Sequence, residues 1–437
     1  MSKKVSTKPR TISGYLYEKT VGDIEVYKLK SNDLRVLYLH RPDTGTVTNN
    51  LTYLVGARDE VRGETGLAHM LEHMLFKPTK YDNQHRIKEG SAMHFERVTG
   101  AILNANTWKD RTTYYFSAPT ALFDEMLRIE ADRIENVVLT DDVFKPEQGN
   151  VLSEYDMYNG DPHFALAEQM CSTAYLSHPY GHETLGYRED IEDFTAEKLE
   201  RFYRNYYRPD NATLMVVGDV DRVTVLEAIK KHFAGIKNPN TPIPRHTIRE
   251  PKQEGTRRIT IERPSTTNIV SIGFKHPGFP SKEWFTTQVM LDVLAGGPES
   301  ILHKLLVDTG RAASADTMCE PTSEENLGTL SITLSPTESH ATIEADVLAA
   351  IEKISQKDIT ALVTKAKANM ITDELFGRTD SLKIVNELTE YVAARDLEAY
   401  TKTAEILASI TPKDVFARLK ASFINTNLTI GYFIGKQ

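Results

Sequence analysis

Two histidines and a glutamate lie within one short segment, His69-Met70-Leu71-Glu72-His73. In a helix, His69 and His73 are one turn apart on one face, and Glu72 lies on that side too. Imidazole nitrogen suits zinc, and a catalytic zinc takes three protein ligands and a water. The metal lowers the pKa of this water, and a nearby carboxylate takes its proton. The His-x-x-Glu-His spacing therefore predicts a zinc-dependent hydrolytic centre.

Ordinary packing of a histidine pair is the alternative explanation for this motif. The flanking positions are apolar, so we expect a buried helix; these positions are Leu67, Ala68, Leu71, Met74 and Leu75. Burying two histidines and a glutamate on one face is costly without a partner ion. We therefore favour metal binding, and we expect Thr65 to cap the start of the helix.

A third metal ligand is required, and a second predicted helix over residues 144–159 offers two candidates. Glu147 and Glu154 are seven residues apart, which places them two turns apart on one face. One of them can ligate the metal while the other holds a ligand or the water. Taken alone, this spacing is typical of a solvated helix face, so the prediction depends on the histidine motif.

Hydrophobic periodicity predicts alternating strands and helices in both halves of the chain. In the first half we expect strands at 47–54, 101–106, 112–117 and 212–217, and helices at 66–76, 122–136, 144–159 and after Thr195. In the second half we expect strands at 259–262 and 269–274 and a helix at 281–294.

An internal echo indicates that the chain is duplicated. Thr195 and Asn211 are sixteen residues apart, as are Thr411 and Asn427, and each pair frames a predicted helix, a turn and an apolar strand. Two copies of one α+β domain explain this pattern. We predict an N-terminal zinc-binding peptidase domain at residues 1–237, a proline-containing linker at 238–257 and a homologous C-terminal domain at 258–437.

Composition excludes several classes of protein. The chain has 437 residues, 40% hydrophobic and 26% charged, with a net charge of −9, which argues against nucleic-acid binding. Its two cysteines make no disulfide framework. No segment approaches the roughly 18 apolar residues of a membrane span. Residues 1–10 are basic but lack the apolar core of a secretory signal. We expect a cytoplasmic protein; a periplasmic or organellar location after processing stays open.

Several segments resemble the pitrilysin/insulinase clan of zinc metallopeptidases, in its half-length, mitochondrial-processing-peptidase-like branch. The resemblance covers the N-terminal half closely and the C-terminal half more loosely. It is carried by residues 55–77 around the histidine motif, the strand Gly100-Ala-Ile-Leu-Asn-Ala-Asn-Thr107, and the later segments 112–115, 178–181, 202–211 and 217–219.

The resemblance implies a role for each candidate site residue. His69, His73 and Glu154 would bind Zn²⁺, one ion per chain. Glu72 would be the general base, and Glu147 would support the site without binding the metal.

The resemblance also implies a substrate and a fold. Asn104 and Ala105 would lie on a strand that pairs with an extended peptide or unfolded polypeptide segment. The fold would be α+β: two similar domains, each an antiparallel sheet covered by helices, together forming half of a clam-shell peptidase.

One departure from the family pattern affects the predicted assembly. In the family, a Gly-Gly turn in the C-terminal half precedes an arginine and, seven residues later, a tyrosine that stabilise the oxyanion. Here the turn is at residues 296–297, but the two positions are Leu306 and Ala313. We therefore predict a heterodimer in which a sibling subunit supplies the Arg/Tyr pair. A homodimer, and substitution by Arg311, are the alternatives.

The leading hypothesis is a zinc endopeptidase acting through metal-activated water, as the catalytic subunit of such a heterodimer. The alternative from another class is a non-catalytic structural subunit of a processing-peptidase-like assembly. A third possibility shares the chemistry but has one dedicated substrate, and the sequence does not separate it from a broad peptidase.

Overall fold

The structure, a computed structural model, describes residues 12–436. The N-terminal segment on which the expected location depends lies outside these residues. Within the described part of the chain, no helix is long and apolar enough to cross a membrane.

Twelve strands and fifteen α-helices are formed by the described residues. The strands are β1 (Tyr15–Val21), β2 (Ile24–Leu29), β3 (Arg35–His40), β4 (Thr46–Tyr53), β5 (Ile102–Thr107), β6 (Thr112–Pro119), β7 (Ala212–Gly218), β8 (Arg257–Pro264), β9 (Ile269–His276), β10 (Ala312–Met318), β11 (Asn326–Leu334) and β12 (Leu428–Lys436). The helices are α1 (Leu67–Met74), α2 (Lys80–His85), α3 (Ser91–Thr99), α4 (Phe123–Glu135), α5 (Asp141–Asn159), α6 (Pro162–Ala174), α7 (Arg188–Glu192), α8 (Ala196–Tyr206), α9 (Arg222–Phe233), α10 (Lys282–Ala295), α11 (His340–Lys353), α12 (Gln356–Gly377), α13 (Ser381–Ala393), α14 (Leu397–Ser409) and α15 (Pro412–Ser422).

The two sheets share one strand order, which confirms the predicted α+β fold. The first sheet has the order β1-β2-β3-β7-β4-β6-β5 and the second β10-β11-β9-β12-β8. Read in the opposite direction, the second matches the first from β3 to β5, so β1 and β2 are an addition to the first copy. Each sheet is antiparallel except for one parallel pair, β3 with β7 and β8 with β12. In both copies several strands and helices separate the two parallel partners along the chain, which exceeds the crossover length that a parallel pair requires.

The sequence echo corresponds to the same local structure in both copies. Thr195 and Thr411 each cap a helix through the side-chain oxygen. The Asn211 amide donates to the carbonyl of Tyr206, the last residue of its helix, at 2.8 Å. Asn427 donates to the equivalent carbonyl of Ser422 at 3.0 Å. A capped helix, a turn held by an asparagine side chain and an inner strand thus occur in the same order in each half.

The chain forms two compact units, and each is built from three separate segments of the sequence. The first contains residues 12–152, 184–246 and 378–401, and the second contains 153–183, 247–377 and 402–436. Helix α13, from the C-terminal half, packs on β4 and β7 of the first unit. The division at residues 238–257 concerns the two repeats along the chain, and it stays a prediction.

In the second unit, α6 covers the sheet and closely approaches a glycine of that sheet. Met170 and Leu166 of α6 are buried against Ile269 and Phe433. A Cβ atom at Gly431 in β12 would lie 2.8 Å from the Met170 sulfur. The glycine therefore makes room for the helix, which is a tertiary reason for glycine in a strand interior.

His276 is the last residue of β9, and its environment predicts that the second unit loses folding stability at low pH. The side chain is fully buried, and burial lowers its pKa to about 4. In the unfolded chain a histidine has a pKa of about 6.5. Between pH 6.5 and 4, His276 is therefore protonated in the unfolded chain but stays neutral in the folded protein. The stabilisation is complete above pH 6.5 and is lost as the pH falls toward 4, amounting to about 3 kcal/mol.

Urea unfolding measured at a series of pH values tests this expectation. Trp284 of α10 is buried in the second unit and reports on it, in a Trp108→Phe background that removes the other tryptophan. His276→Gln cannot titrate, so its stability is expected to fall less steeply than that of the parent between pH 6.5 and 4. Identical slopes for the two proteins would contradict the assignment.

Candidate metal centre

Helix α1 carries the histidine motif, and its N-terminus is stabilised by Glu60. The two carboxylate oxygens of Glu60 accept from the backbone N–H groups of Gly66 and Ala68, each at 2.8 Å. A carboxylate there also complements the helix dipole. Our expectation that Thr65 caps the helix is wrong, because its hydroxyl donates to Asp190 at 2.6 Å instead.

The helix is buried on every side except the face that carries the motif. Leu67, Ala68, Met70, Leu71 and Met74 are buried, as the apolar flanks predict. The motif residues themselves, His69, Glu72 and His73, are only half-buried. The imidazole rings of the histidine pair are 4.7 Å apart between centroids. The apolar faces thus fix the helix, while the three polar side chains stay accessible to a ligand.

Helix α5 brings the two candidate glutamates to this face. Asp141 and Asp142 lie in its first turn, where negative charge is favourable. The helix is continuous from Asp141 to Asn159, so Glu147 and Glu154 share one side. One ligand atom from each of His69, His73 and Glu154 lies within 4.8 Å of the others.

Glu147 contacts the histidine rather than joining this cluster. Its Oε1 lies 2.9 Å from Nδ1 of His73. Although burial raises the pKa of Glu147, hydrogen bonds from His73 and Lys77 outweigh it and lower the pKa to about 2. The carboxylate is therefore ionised and can only accept, so Nδ1 of His73 carries the hydrogen. In a neutral ring this leaves the lone pair on Nε2, which is the arrangement a metal ligand needs.

Two side chains that hold Glu147 are absent from the sequence-based site. Lys77 forms an ion pair with its Oε2, and the Asn150 amide donates to the same oxygen at 2.9 Å. Asn150 follows Glu147 by three residues, and Lys77 follows His73 by four. Helical spacing from residues already singled out was the available signal.

Glu72 also has a partner that the sequence analysis did not select. The Thr107 hydroxyl donates to Oε2 of Glu72 at 2.5 Å. Thr107 is the last residue of β5, so this bond joins the histidine helix to the strand predicted to bind substrate.

Asn104 and Ala105 lie in the middle of β5, which is the edge strand of the first sheet. Asn104 is exposed and Ala105 is half-buried. One side of β5 pairs with β6, and among the described residues no strand pairs with its other side. The Asn104 side chain accepts from the Ala105 backbone N–H at 2.8 Å. The structure thus puts both residues where a peptide could extend the sheet.

The C-terminal half has no arginine or tyrosine at the two expected positions. Leu306 is fully buried, and Ala313 is exposed on β10, the edge strand that corresponds to β5. The guanidinium of Arg311 is engaged by Glu338 at 3.1 Å and by Asp346 at 2.8 Å. This double ion pair weakens the alternative in which Arg311 replaces the missing arginine.

Two imidazoles and one carboxylate are a donor set that suits catalytic zinc. The fit to zinc rests on the cluster distance and on the contact of Glu147 with Nδ1 of His73, which favours Nε2 as the metal-binding atom. A buried carboxylate behind a ligating imidazole is the usual outer partner of such a centre. The residues present therefore fit a zinc ion.

Comparison with known proteins identifies the family. A zinc protease from Helicobacter pylori, PqqE, is 30% identical over 392 residues, which cover 88% of this chain and 87% of that protein. The chain belongs to peptidase family M16. The family described as "Insulinase (Peptidase family M16)" matches residues 35–188, and the family described as "Peptidase M16 inactive domain" matches residues 193–370. The family resemblance expected from the sequence is confirmed.

A solved structure shares the fold of this chain, and several relatives are named zinc proteases. The crystal structure of a protease from Helicobacter pylori has a TM-score of 0.88 and 28% identity, covering 95% of this chain and 100% of that chain. A probable mitochondrial-processing peptidase subunit beta from Schizosaccharomyces pombe is 26% identical over 60% of this chain and 57% of its own. Zinc proteases recur among the relatives, so the chain is a member of a zinc-peptidase family.

Proposed function

We propose that this chain is a zinc-dependent endopeptidase that hydrolyses peptides or unfolded protein segments. We further propose that it is the catalytic subunit of a heterodimer. Zinc would be held by His69, His73 and Glu154, one ion per chain. Glu72 would be the general base, and Glu147 would orient His73.

One observation carries this proposal: α5 lies against the accessible face of α1, beside the edge strand β5. Ligand atoms of the histidine pair and Glu154 lie close together there. Glu72 lies on the same helix as the histidines, and Thr107 links it to that edge strand. Structural packing alone would not require polar groups of these types to gather on the one exposed face of a buried helix.

The residues around the centre divide the work of peptide hydrolysis. The edge of β5 aligns the peptide by backbone hydrogen bonds, near Asn104 and Ala105. A bound zinc would supply Lewis-acid polarisation and a lowered pKa for a water. Glu72 accepts a proton from the attacking water and delivers it to the departing amide nitrogen. The carbon–oxygen bond forms, the carbon–nitrogen bond breaks, and Glu72 returns to its starting state.

A second subunit is proposed because this chain lacks donors for the oxyanion. Leu306 and Ala313 have no side-chain donor, and losing one such hydrogen bond typically costs about 2.7–4 kcal/mol. A sibling of the same half-length fold, carrying an arginine and a tyrosine seven residues apart, would supply them. The relative from Schizosaccharomyces pombe is named as a subunit, which supports a paired assembly.

Turnover of a quenched fluorescent peptide, with zinc content measured on the same sample, tests the proposal. The purified chain is expected to contain about one zinc per chain and to turn over the peptide only at a low basal rate when alone. Adding the sibling subunit is expected to raise turnover by about 10²–10³-fold, the usual effect of an oxyanion donor.

The outcomes separate the parts of the proposal. Full activity of the chain alone would overturn the heterodimer and leave the peptidase assignment standing, with a homodimer as the assembly. Absence of zinc and of turnover in both samples would overturn the peptidase and favour a structural subunit. Turnover of many unrelated peptides would exclude a single dedicated substrate.

A further inference from the structure

The hydrogen bond between Thr107 and Glu72 connects two elements that are distant in sequence. Glu72 lies on α1, which packs against β5, and Thr107 ends that strand. The donor–acceptor distance of 2.5 Å is in the range of charge-assisted O–H···O⁻ bonds. Both side chains are half-buried, so the contact is partly shielded from water.

Strand alternation explains why the hydroxyl reaches α1. Successive residues of a strand point to opposite faces, so Leu103, Ala105 and Thr107 share one face. Thr107 pairs with Thr112 of β6, whose hydroxyl donates to the carbonyl of Val55 at 3.0 Å. The position of Thr107 is therefore fixed by the sheet rather than by its own rotamer alone.

Backbone hydrogen bonds also hold the turn that follows Thr107. The Ala57 N–H donates to the carbonyl of Trp108 at 3.1 Å, and the Arg58 N–H to that of Lys109 at 2.9 Å. A Cβ atom at Gly56 would lie 2.1 Å from the Trp108 oxygen, so glycine is required for this close approach. Thr107 is thus a fixed point against which a mobile side chain can be held.

Glu72 needs such a fixed point, since glutamate has several rotatable bonds and no covalent constraint on its carboxylate. Ordering a side chain of this kind costs conformational entropy. A hydrogen bond that holds Oε2 removes part of this disorder.

We propose that Thr107 is a positioning residue that fixes Glu72 relative to the strand that pairs with substrate. The proposal rests on the proposed function of Glu72 as the general base. The same strand would then set both the register of the peptide and the position of the base that acts on it. Loss of the Thr107 hydroxyl would misplace the base without changing the metal ligands or the strand edge.

A pair of substitutions separates the hydroxyl from the shape of the side chain. Thr107→Val keeps the branched shape and removes the donor, whereas Thr107→Ser keeps the donor. In whichever assembly turns over the peptide, we expect Thr107→Val to lower kcat by about 10–100-fold, the usual effect of losing an outer hydrogen-bond partner. KM, zinc content and melting temperature are expected to stay close to wild type. Thr107→Ser is expected to recover most of the activity.

Two further measurements do not depend on turnover. In crystal structures of the variants, the Glu72 carboxylate should keep its place with serine and lose it with valine. In a Glu72→Gln background, Thr107→Val should leave the affinity for a fluorescent peptide unchanged, because the strand edge is intact.

Each contrary result has a distinct meaning. An unchanged kcat in Thr107→Val, or an unmoved Glu72 carboxylate, would overturn the positioning role. A loss of peptide affinity in the glutamine background would show that Thr107 supports the strand instead, which also overturns it. Absence of turnover in the wild-type assembly would count against the proposed function, and the crystal structures would still decide the role of Thr107.

Discussion

Glu72→Gln is expected to abolish peptide turnover while leaving zinc bound. Glutamine has the shape of glutamate, but its amide cannot accept the proton of the attacking water. General-base catalysis typically contributes about 10²–10⁴-fold, so we expect kcat to fall by at least about 10³-fold. The proposed ligands, His69, His73 and Glu154, are untouched by this change.

Rate and metal content are measured on the same preparations, by quenched-peptide turnover and atomic emission. Glu197→Gln is the matched control, since it removes an exposed carboxylate from the first turn of α8; it is expected to behave as wild type. Full activity in Glu72→Gln would exclude Glu72 as the base. Loss of zinc along with activity would instead make Glu72 part of the metal centre.

Glu154→Gln is expected to lower zinc affinity far more than Glu147→Gln does. Glu154 contributes an oxygen to the three-residue cluster, so its loss removes one of the three proposed ligands. Glu147 contacts Nδ1 of His73 at 2.9 Å and acts only through that ring. We expect about 10–100-fold weaker binding without Glu147, and a larger loss, beyond about 100-fold, without Glu154.

Competition with a chelator of known affinity gives both constants. Asp156→Asn is the control for charge on α5, because Asp156 is exposed and lies two residues from Glu154, off the metal-facing side. Its zinc affinity should equal that of wild type. If Glu147→Gln costs more than Glu154→Gln, the roles of the two glutamates are reversed. If neither changes affinity, the metal is bound elsewhere.

Local periodicity was sufficient to locate the elements of the centre. The spacing of His69 and His73 places both on one face of a helix, and the spacing of Glu147 and Glu154 places both on one face of a second helix. Both helices form over nearly the residues that the pattern predicts. The duplication could also be predicted from the sequence. Asn211 and Asn427 hold equivalent turns by hydrogen bonds to residues nearby in the chain, so each copy of the motif keeps the asparagine.

Which of the two glutamates approaches the histidines depends on how α5 lies against α1. The seven-residue spacing leaves them equivalent, and in the sequence only the family resemblance distinguished them. In the structure Glu154 shares the histidine cluster, while Glu147 lies behind His73 with Lys77. Their roles as ligand and support remain predictions that the zinc measurements test.

Other features depend on contacts between residues far apart in the chain. Glu60 rather than Thr65 caps α1, because the loop before the helix folds back and Asp190 engages the threonine hydroxyl. Thr107 reaches Glu72 only once β5 is paired and α1 is packed on it. Helices α6 and α13 each join the compact unit of the other half. The sequence alone determined the helices, the repeat and the chemical types at the centre, since these follow from short-range spacing. The partners of those groups were decided by the tertiary structure, because a hydrogen bond between distant residues leaves no periodic trace in the sequence.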